Sequence, residues 1–488
     1  KMKKNYGYGR IIKILKPSPH RIEPICSVYK QCGGCQLQHM DSNEQNTFKE
    51  NKVKDCFHKI AGMDVEIQPI IKVEPYWNYR NKVQIPVQCN DNKVEMGFYA
   101  PHSNRIVQYD VCHVQTDLSN ELTNYFRKQF DMLACAKEVR HVLIKHAHNT
   151  GEVMVALVVR NYPFHNSDSL IKDVLAKYPQ IKSLVAIVNK REDNVILDGE
   201  EILLAGRHYI EEELLGCTFR ISARSFYQIN PYATRELYSK AIELAGLTGN
   251  ETLIDLYCGT GTMGIIAAKQ AKQVYGIEIV ADAIRDANTN AENNNVTNIK
   301  FINADASEGA QQIIKSKIQA DAMIIDPPRK GCSKDTIDAI VTIAPKRLVY
   351  VSCDPATLAR DVKILSDNGY KLELVQPVDL FPQTVHVETV ALLSKLDVDK
   401  HIDVEIKLDE LDLTSAESKA TYAQIKKYIL EKFDLKVSTL YIAQIKKKCG
   451  IALREHYNKS KKEKQVIPQC TPEKEEAIMD ALRHFKMI

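Results

Sequence analysis

The stretch DLYCGTGTMG, residues 255–264, decides the fold of this chain, because a strand-like run leads into it and a helix-like run follows it. Glycines here let the backbone approach a ligand closely, and the free N–H groups that open a helix attract carboxylate or phosphate groups. Glu278 ends the next strand-like run, where an acidic side chain can accept hydrogen bonds from ribose hydroxyls. The pattern predicts a nucleotide or nucleoside site, and the alternative is a plain tight turn in a sheet.

Around this stretch, short apolar runs alternate with helix-length amphipathic stretches. The strand-like runs are 252–257, 274–278, 300–304, 322–326, 348–352 and 386–393, and helices are predicted at 281–293 and 355–368. Such alternation predicts an α/β domain with a doubly wound, mainly parallel sheet. Ligands of such sheets bind at the carboxyl ends of the strands.

The rest of the chain divides by its pattern into further segments. Residues 1–25 hold one basic strand-like piece, and residues 26–40 form a cysteine-rich segment. Residues 41–220 show the strands and tight turns of an α+β domain, which precedes the α/β domain at 221–398. Residues 399–488 have the apolar spacing of a small helical extension, with a weak resemblance to a helix-turn-helix.

Composition narrows the class of protein. The chain has 488 residues, of which 44% are hydrophobic and 26% charged, as in soluble proteins of two or three domains. A net charge of +4 does not by itself indicate nucleic acid, although a local basic surface remains compatible with it. The polar start KMKKNYGYGR and the lack of long apolar runs predict a cytoplasmic protein without a membrane partner.

Thirteen cysteines in a reducing compartment indicate metal ligands or catalysis rather than disulfides. Three of them follow a Cys-x5-Cys-x2-Cys spacing, with glycines that let the backbone wrap around a metal or cluster, and a fourth ligand must come from elsewhere. The candidate ligands are Cys26, Cys32, Cys35 and Cys112. Reduced buried cysteines are the alternative, and the spacing alone does not separate zinc from an iron–sulfur cluster.

Three further residues stand at predicted strand ends. Asp326 opens DPPRKG, whose prolines fix the backbone so that the carboxylate can point into a cleft; a rigid turn with a capping acid is the alternative. Cys353 ends a neighbouring strand, and Glu388 lies early in the last one. A thiol and a carboxylate that converge on a cofactor cleft suggest a nucleophile and a proton acceptor. A buried apolar cysteine and a solvated glutamate are the alternatives.

Together, five motifs resemble the RNA 5-methyluridine methyltransferases, specifically the iron–sulfur-containing branch that acts on 23S ribosomal RNA. They are SFYQINP at 225–231, DLYCGTGTMG, DPPRKG at 326–331, VSCDPATLARD at 351–361 and FPQTVHVET at 381–389. The resemblance covers nearly the whole chain to about residue 395. It implies a Rossmann-like methyltransferase domain, S-adenosylmethionine as methyl donor, and a 4Fe-4S cluster on the four cysteines, with zinc as the alternative.

The resemblance also assigns roles. Cys353 would be the nucleophile that adds to C6 of uracil, Glu388 the general base and Asp326 the residue that orients the uracil. The implied cofactor contacts are Gln228, Tyr257, Gly259, Gly261, Glu278, Asp305 and Asp326. Segments 79–82 and 98–99 resemble parts of the family that face RNA; an exposed basic strand and a packed aromatic pair are the alternatives.

The implied partner is 23S ribosomal RNA, modified at uridine 1939, uridine 747 or both, and no stable protein partner is implied. Two features depart from the family: residues 1–25 resemble only a remnant of its N-terminal TRAM β-barrel, and residues 399–488 lie outside its pattern. Alternatives are a transfer RNA 5-methyluridine methyltransferase, a noncatalytic RNA-binding scaffold and an enzyme that methylates nitrogen. The tRNA branch typically lacks the four cysteines.

Overall fold

The computed structural model describes residue 9 and residues 11–90, 93–396, 422–449, 451, 471–485 and 487–488. Parts of the predicted segments 1–25 and 399–488 lie outside the described residues, namely 1–8 and 10 of the first, and 399–421, 450, 452–470 and 486 of the second. The chain divides into two compact units, Lys1–Asp397 and Val398–Ile488. Among the described residues, no helix combines the length and the apolar character needed to cross a bilayer.

The N-terminal half of the first unit is built on a seven-stranded sheet with the order β3-β2-β1-β4-β5-β6-β7. Its neighbouring strands are antiparallel except β5 and β6. Helix α2 buries Leu122, Phe126 and Phe130, spaced four residues apart, against the sheet, and each such side chain contributes about 1.5–3 kcal/mol. The elements are α1 (Ser42–Cys56), a π-helical turn (Phe57–Ala61), β1 (Lys82–Asn90), β2 (Lys93–Tyr99), β3 (Ile106–Gln108), α2 (Asp117–Met132), β4 (Val139–His146), β5 (Val153–Val159), α3 (Ser167–Lys177), β6 (Ile181–Val188), β7 (Glu200–Gly206), β8 (Tyr209–Leu214) and β9 (Cys217–Ser222).

The C-terminal half of the first unit is the predicted α/β domain. Its elements are α4 (Pro231–Ala245), β10 (Thr252–Leu256), α5 (Thr262–Ala268), β11 (Gln273–Glu278), α6 (Ala281–Asn293), β12 (Ile299–Asn303), α7 (Ala306–Lys315), β13 (Ala322–Ile325), α8 (Lys334–Ile343), β14 (Arg347–Ser352), α9 (Pro355–Asp367), β15 (Tyr370–Val378) and β16 (Glu388–Lys395). The sheet order is β12-β11-β10-β13-β14-β16-β15, and β10 to β14 are all parallel.

Helices cover both faces of this sheet because both faces are apolar. Leu253 packs with α4, α5 and α6 on one face, whereas its neighbour Ile254 packs with α7, α8 and α9 on the other. Such two-sided burial is typical of parallel sheets. The predicted doubly wound α/β fold is therefore confirmed.

Two details of the sheet differ from the prediction. Strand β15 was missed, although Lys371 and Glu373 alternate with apolar residues in its first half, a pattern that indicates a half-buried strand. The last strand begins at Glu388 rather than at residue 386, and it runs antiparallel between β14 and β15. The sheet is therefore mainly parallel, as predicted, with β16 antiparallel to both of its neighbours.

The described residues of the second unit contain the helices α10 (Tyr422–Phe433), α11 (Thr439–Lys448) and α12 (Pro472–His484). Ser438 caps α11 by accepting a hydrogen bond from the Tyr441 amide. The helices share a small apolar core whose fully buried side chains include Ile425, Ile442 and Ile478.

Candidate active site

The strand ends of the α/β sheet bring most of the predicted residues to one edge. Glu278 ends β11, Asp326 follows β13, and Cys353 follows β14. Glu388 opens β16, which is antiparallel to β14, so that its first residue lies at the end of the sheet where β14 finishes. This is the carboxyl edge, where parallel sheets bind their ligands.

The glycine-rich loop adopts backbone conformations that favour glycine. Gly259 and Gly261 have φ values of 54° and 77°, and a Cβ on Gly261 would stand 2.8 Å from the ring of Phe301. Tyr257 is a strained exception at φ 72°, in the left-handed region that non-glycine residues rarely occupy. The Gly259 amide donates to Oε2 of Glu278 at 3.1 Å, so the loop and the acid that follows β11 form one unit.

Beside this loop lies a cavity of about 400 Å³. Gly259 and Glu278 line it, as the sequence predicted, and Glu278 is fixed there because its Oε1 also accepts from the Val280 amide at 2.9 Å. Other lining residues were not predicted: Glu201, Ser222, Arg224, Ser225, Phe226, Thr260, Val280, Asp282, Ala283, Arg285 and Asp286. A signal for Phe226 was available in the SFYQINP motif, but Glu201 comes from the other sheet, and nothing in the sequence joins it to this cavity.

The remaining predicted cofactor residues lie outside the lining of this cavity. Asp305 caps α7, where its carboxylate accepts from the amide and hydroxyl of Ser307, and these bonds hold the pKa of Asp305 below its usual range. Gln228 is buried, and its side chain hydrogen-bonds Tyr238. Gly261 packs against Phe301, and the side chain of Tyr257 lies beside Thr336.

The thiol and the two acids at the edge form an electrostatically coupled group. The pKa of Cys353 is raised to about 11, first by burial and then by the charge of Glu388. Burial raises the pKa of Asp326 to about 7, and burial together with Asp326 raises the pKa of Glu388 well above its usual range. Glu388 is 2% exposed, and its Oε2 has no hydrogen-bond partner. Three anions are therefore not stable together here, and a bound cation would favour their ionised forms.

Arg329 is a functional candidate that the sequence analysis did not single out. It lies on the exposed loop after β13, hydrogen-bonds the Cys353 side chain, and opposes the rise in the pKa of both Cys353 and Glu388. Its position in DPPRKG, three residues after Asp326, was the available signal.

Asp255 is a second buried acid near the edge. It is 2% exposed, and burial raises its pKa to about 7. Its Oδ2 has no hydrogen-bond partner, although a buried carboxylate oxygen normally has one.

The four predicted cysteine ligands line one cavity of about 260 Å³, together with Arg80 and aromatic side chains. Burial, together with the charges of the other three thiols, raises the pKa of Cys35 to about 12. Yet no three His, Cys, Asp or Glu side chains of the described residues converge closely enough to hold a single metal ion. The predicted metal site is therefore not confirmed, although its four residues are brought together.

The predicted RNA-facing segment is only partly exposed. Tyr79 is 1% exposed and donates its hydroxyl to the Pro382 carbonyl at 2.9 Å. Asn81 is 5% exposed and donates to the Gln228 carbonyl at 3.2 Å. Both side chains hold neighbouring loops of the site and do not face solvent, so the prediction was wrong for them. Phe98 stacks on Tyr109 with ring centroids 5.2 Å apart, whereas Tyr99 is 40% exposed, so Phe98 and Tyr99 do not form the packed pair of the alternative.

Comparisons with known proteins agree with this geometry. A family model described as tRNA (uracil-5-)-methyltransferase matches residues 42–396. An uncharacterized RNA methyltransferase of Clostridium tetani is 40% identical over 402 residues, which cover 81% of this chain and 87% of the relative. A Bacillus cereus protein of the same description is 42% identical over 402 residues, which cover 80% and 88%.

A solved structure is also similar. The tRNA (uracil-54, C5)-methyltransferase of Pyrococcus abyssi, in complex with S-adenosyl-L-homocysteine, shares 28% identity with a TM-score of 0.63, and the match covers 78% of this chain and 88% of that chain. The α/β sheet carries a thiol and acids at its carboxyl edge, and this agrees with the family model and with the two curated relatives. This chain belongs to the tRNA (uracil-5-)-methyltransferase family of RNA methyltransferases.

Proposed function

We propose that this protein transfers a methyl group from S-adenosylmethionine to C5 of a uridine in 23S ribosomal RNA, through a covalent bond between Cys353 and C6 of uracil. The observation that carries the proposal is the position of Cys353 and Glu388 on adjacent strands at the carboxyl edge. A nucleophile and a proton acceptor at that edge are what C5 methylation needs.

The residues present fit the methyl donor. S-adenosylmethionine supplies an electrophilic methyl group on a positively charged sulfonium. The cavity beside Gly259 and Glu278 offers a carboxylate, fixed by the Gly259 and Val280 amides, that can accept hydrogen bonds from ribose hydroxyls. The coupled acids and thiol would also be stabilised in their charged forms by a cation.

Cys353 and Glu388 act in sequence in the proposed reaction. The Cys353 thiolate attacks C6, which forms an S–C6 bond and moves the C5=C6 electron pair into an enolate. C5 then attacks the methyl carbon, and the sulfur–methyl bond of the donor breaks. Glu388 removes the proton from C5, the C5=C6 bond re-forms, and the S–C6 pair returns to Cys353. Glu388 finally releases its proton to solvent, which restores both side chains.

The target base must leave its helix before Cys353 can reach C6. Unstacking costs a few kcal/mol, and single-stranded or damaged sites cost less. The proposed target is uridine 1939, uridine 747 or both. The joint cavity of four thiols supports the ribosomal branch, because the tRNA branch of the resemblance typically lacks them. The Pyrococcus abyssi structure supports a tRNA substrate as the second candidate.

We also propose that the four cysteines bind a 4Fe-4S cluster with a structural role. Zinc needs its ligand sulfurs about 2.3 Å from one point, whereas each iron of a cube takes its own thiolate, so the sulfurs surround a volume. The observation that supports the cluster is that the four thiols line one cavity. Iron and sulfide analysis after anaerobic purification tests this, and stoichiometric zinc without sulfide would overturn it.

The test of the reaction uses RNA that carries 5-fluorouridine, because the C5 fluorine cannot leave as a proton. We expect a denaturation-resistant protein–RNA adduct on 23S fragments with S-adenosylmethionine, mapped to Cys353 by mass spectrometry, and none with Cys353→Ala. An adduct on tRNA alone would overturn the ribosomal substrate. No adduct on either RNA, although both bind, would overturn C5 chemistry in favour of nitrogen methylation or a scaffold.

A further inference from the structure

The catalytic loop, Asp379–Val387, joins β15 to Glu388 and is held from outside the α/β sheet. At its centre, Gln383 has φ 69°, a conformation that its own sequence does not favour. The main-chain amides of Gln36 and Leu37 both donate to the Gln383 carbonyl, at 3.0 Å each. These two residues directly follow Cys35 in the chain, so the cysteine-bearing segment contacts the loop that leads to Glu388.

The side chain of Gln36 connects the two segments a second time. Its Nε2 donates to the Gly33 carbonyl at 2.9 Å, and its Oε1 accepts from the Val385 amide at 3.4 Å. Gly33 lines the four-thiol cavity, and Val385 lies three residues before Glu388. One exposed side chain therefore spans from the cysteine cavity to the catalytic loop.

Helix α1 also contacts the catalytic loop through its side chains. Gln45, which is 3% exposed, accepts the Gln383 amide on Oε1 at 3.1 Å and donates from Nε2 to the Gln383 side chain at 3.0 Å. Lys49 donates to the Phe381 carbonyl at 3.0 Å, and Lys52 donates to the Val385 carbonyl at 2.9 Å. Buried, fully paired polar contacts of this kind fix one conformation.

We propose that Gln36 and Gln45 are positioning residues for Glu388, and that the cysteine-bearing segment thereby sets the geometry of the base. The inference rests on the proposed function. Glu388 acts only after methyl transfer, when the C5–H bond breaks, its proton passes to the carboxylate, and the S–C6 electron pair returns to Cys353. A displaced loop therefore slows release of the RNA and leaves the preceding methyl transfer unchanged.

The experiment measures both steps in single turnovers on unmodified uridine RNA with labelled S-adenosylmethionine. In Gln36→Ala and Gln45→Leu, we expect methyl transfer within about twofold of wild type, RNA release slowed about tenfold or more, and a methylated covalent adduct on denaturing gels. Thr47→Ala is the control, because its hydroxyl bonds only the Asn43 carbonyl within α1. Wild type and Thr47→Ala should accumulate no adduct.

A rescue variant separates positioning from general damage. Gln45→Glu keeps the oxygen that accepts the Gln383 amide, so it should release RNA faster than Gln45→Leu. Equal slowing of both steps, or release at the wild-type rate from Gln36→Ala, would overturn the inference. If the wild-type protein forms no adduct with 5-fluorouridine RNA, the proposed function fails. If it does form the adduct, equal slowing of both steps or normal release from Gln36→Ala removes only the positioning role. Because Gln36 is exposed, its variant remains testable if Gln45→Leu does not fold.

Discussion

Ser352 at the end of β14 pairs in antiparallel register with Thr389 near the start of β16. Cys353 follows directly after Ser352, and Glu388 is the first residue of β16, so the thiol and the carboxylate flank this pair at the carboxyl edge. The charge of Glu388 adds to burial in raising the pKa of Cys353, and Asp326 adds to burial in raising the pKa of Glu388.

Replacement of the base is expected to separate the two halves of the reaction. In Glu388→Gln, the thiol loses a negative neighbour, so methyl transfer should persist while RNA release falls by about 10²–10⁴-fold. The check is a rapid-quench time course with a denaturing gel for the methylated adduct. Glu373→Gln, an exposed acid on the adjacent β15, should behave like wild type. Loss of methyl transfer in Glu388→Gln would contradict the assignment of Glu388 to the later step.

The thiol is expected to make methyl transfer pH-dependent. With its pKa raised, Cys353 is mostly protonated at neutral pH, so the single-turnover rate should rise about tenfold per pH unit until the thiol ionises. Arg329→Gln removes the cation that opposes this rise, which should shift the curve to higher pH and lower the rate at neutral pH about tenfold. Lys330→Gln, on the same loop, should leave the curve in place. A shift of the Arg329→Gln curve toward lower pH would contradict this role.

The buried ion pair between Lys49 and Asp379, the first residue of the catalytic loop, is expected to stabilise the first unit. Lys49 and Asp379 are fully buried and 2.5 Å apart, and burial lowers the pKa of Lys49. Lys49→Met leaves the Asp379 charge without its partner and should lower the free energy of unfolding by about 3–5 kcal/mol. Urea denaturation measures the loss. The double variant Lys49→Met, Asp379→Leu should recover much of it, and exposed Lys54→Met should have little effect.

A side chain at position 261 is expected to distort the glycine-rich loop and to weaken the binding of S-adenosylmethionine. Gly261→Ala combines an unfavourable φ with a Cβ 2.8 Å from the Phe301 ring, which costs about 1–3 kcal/mol. Calorimetric titration should show S-adenosylmethionine binding weakened about tenfold while the circular dichroism spectrum is retained. The double variant Gly261→Ala, Phe301→Leu tests the steric part and should regain affinity. Unchanged affinity in the single variant would contradict the role of the loop.

The site residues that could be predicted from the sequence are those that local patterns place at the ends of strands. Cys353, Glu278 and Asp326 follow strand-like runs, and a parallel sheet gathers such residues at one edge whatever the details. The contacts of Gln36, Gln45 and Tyr79 were not predictable, because they join distant segments through main-chain carbonyls, and such bonds leave no periodic pattern. Strand β15 differs from these contacts, because the alternation of Lys371 and Glu373 with apolar residues was a signal in the sequence that the analysis did not use.

Because β16 lies between β14 and β15 in the sheet, it also determines when the sheet can be completed during synthesis of the chain. Every other strand of this sheet precedes Glu388 in the sequence, so a nascent chain can complete the cofactor loop and expose Cys353 before the base exists. The nucleophile gains its partner only when the last strand enters the sheet. Turnover by the proposed reaction therefore requires the finished sheet, and in a chain interrupted before Glu388 the strand β15 would lack the partner that joins it to β14.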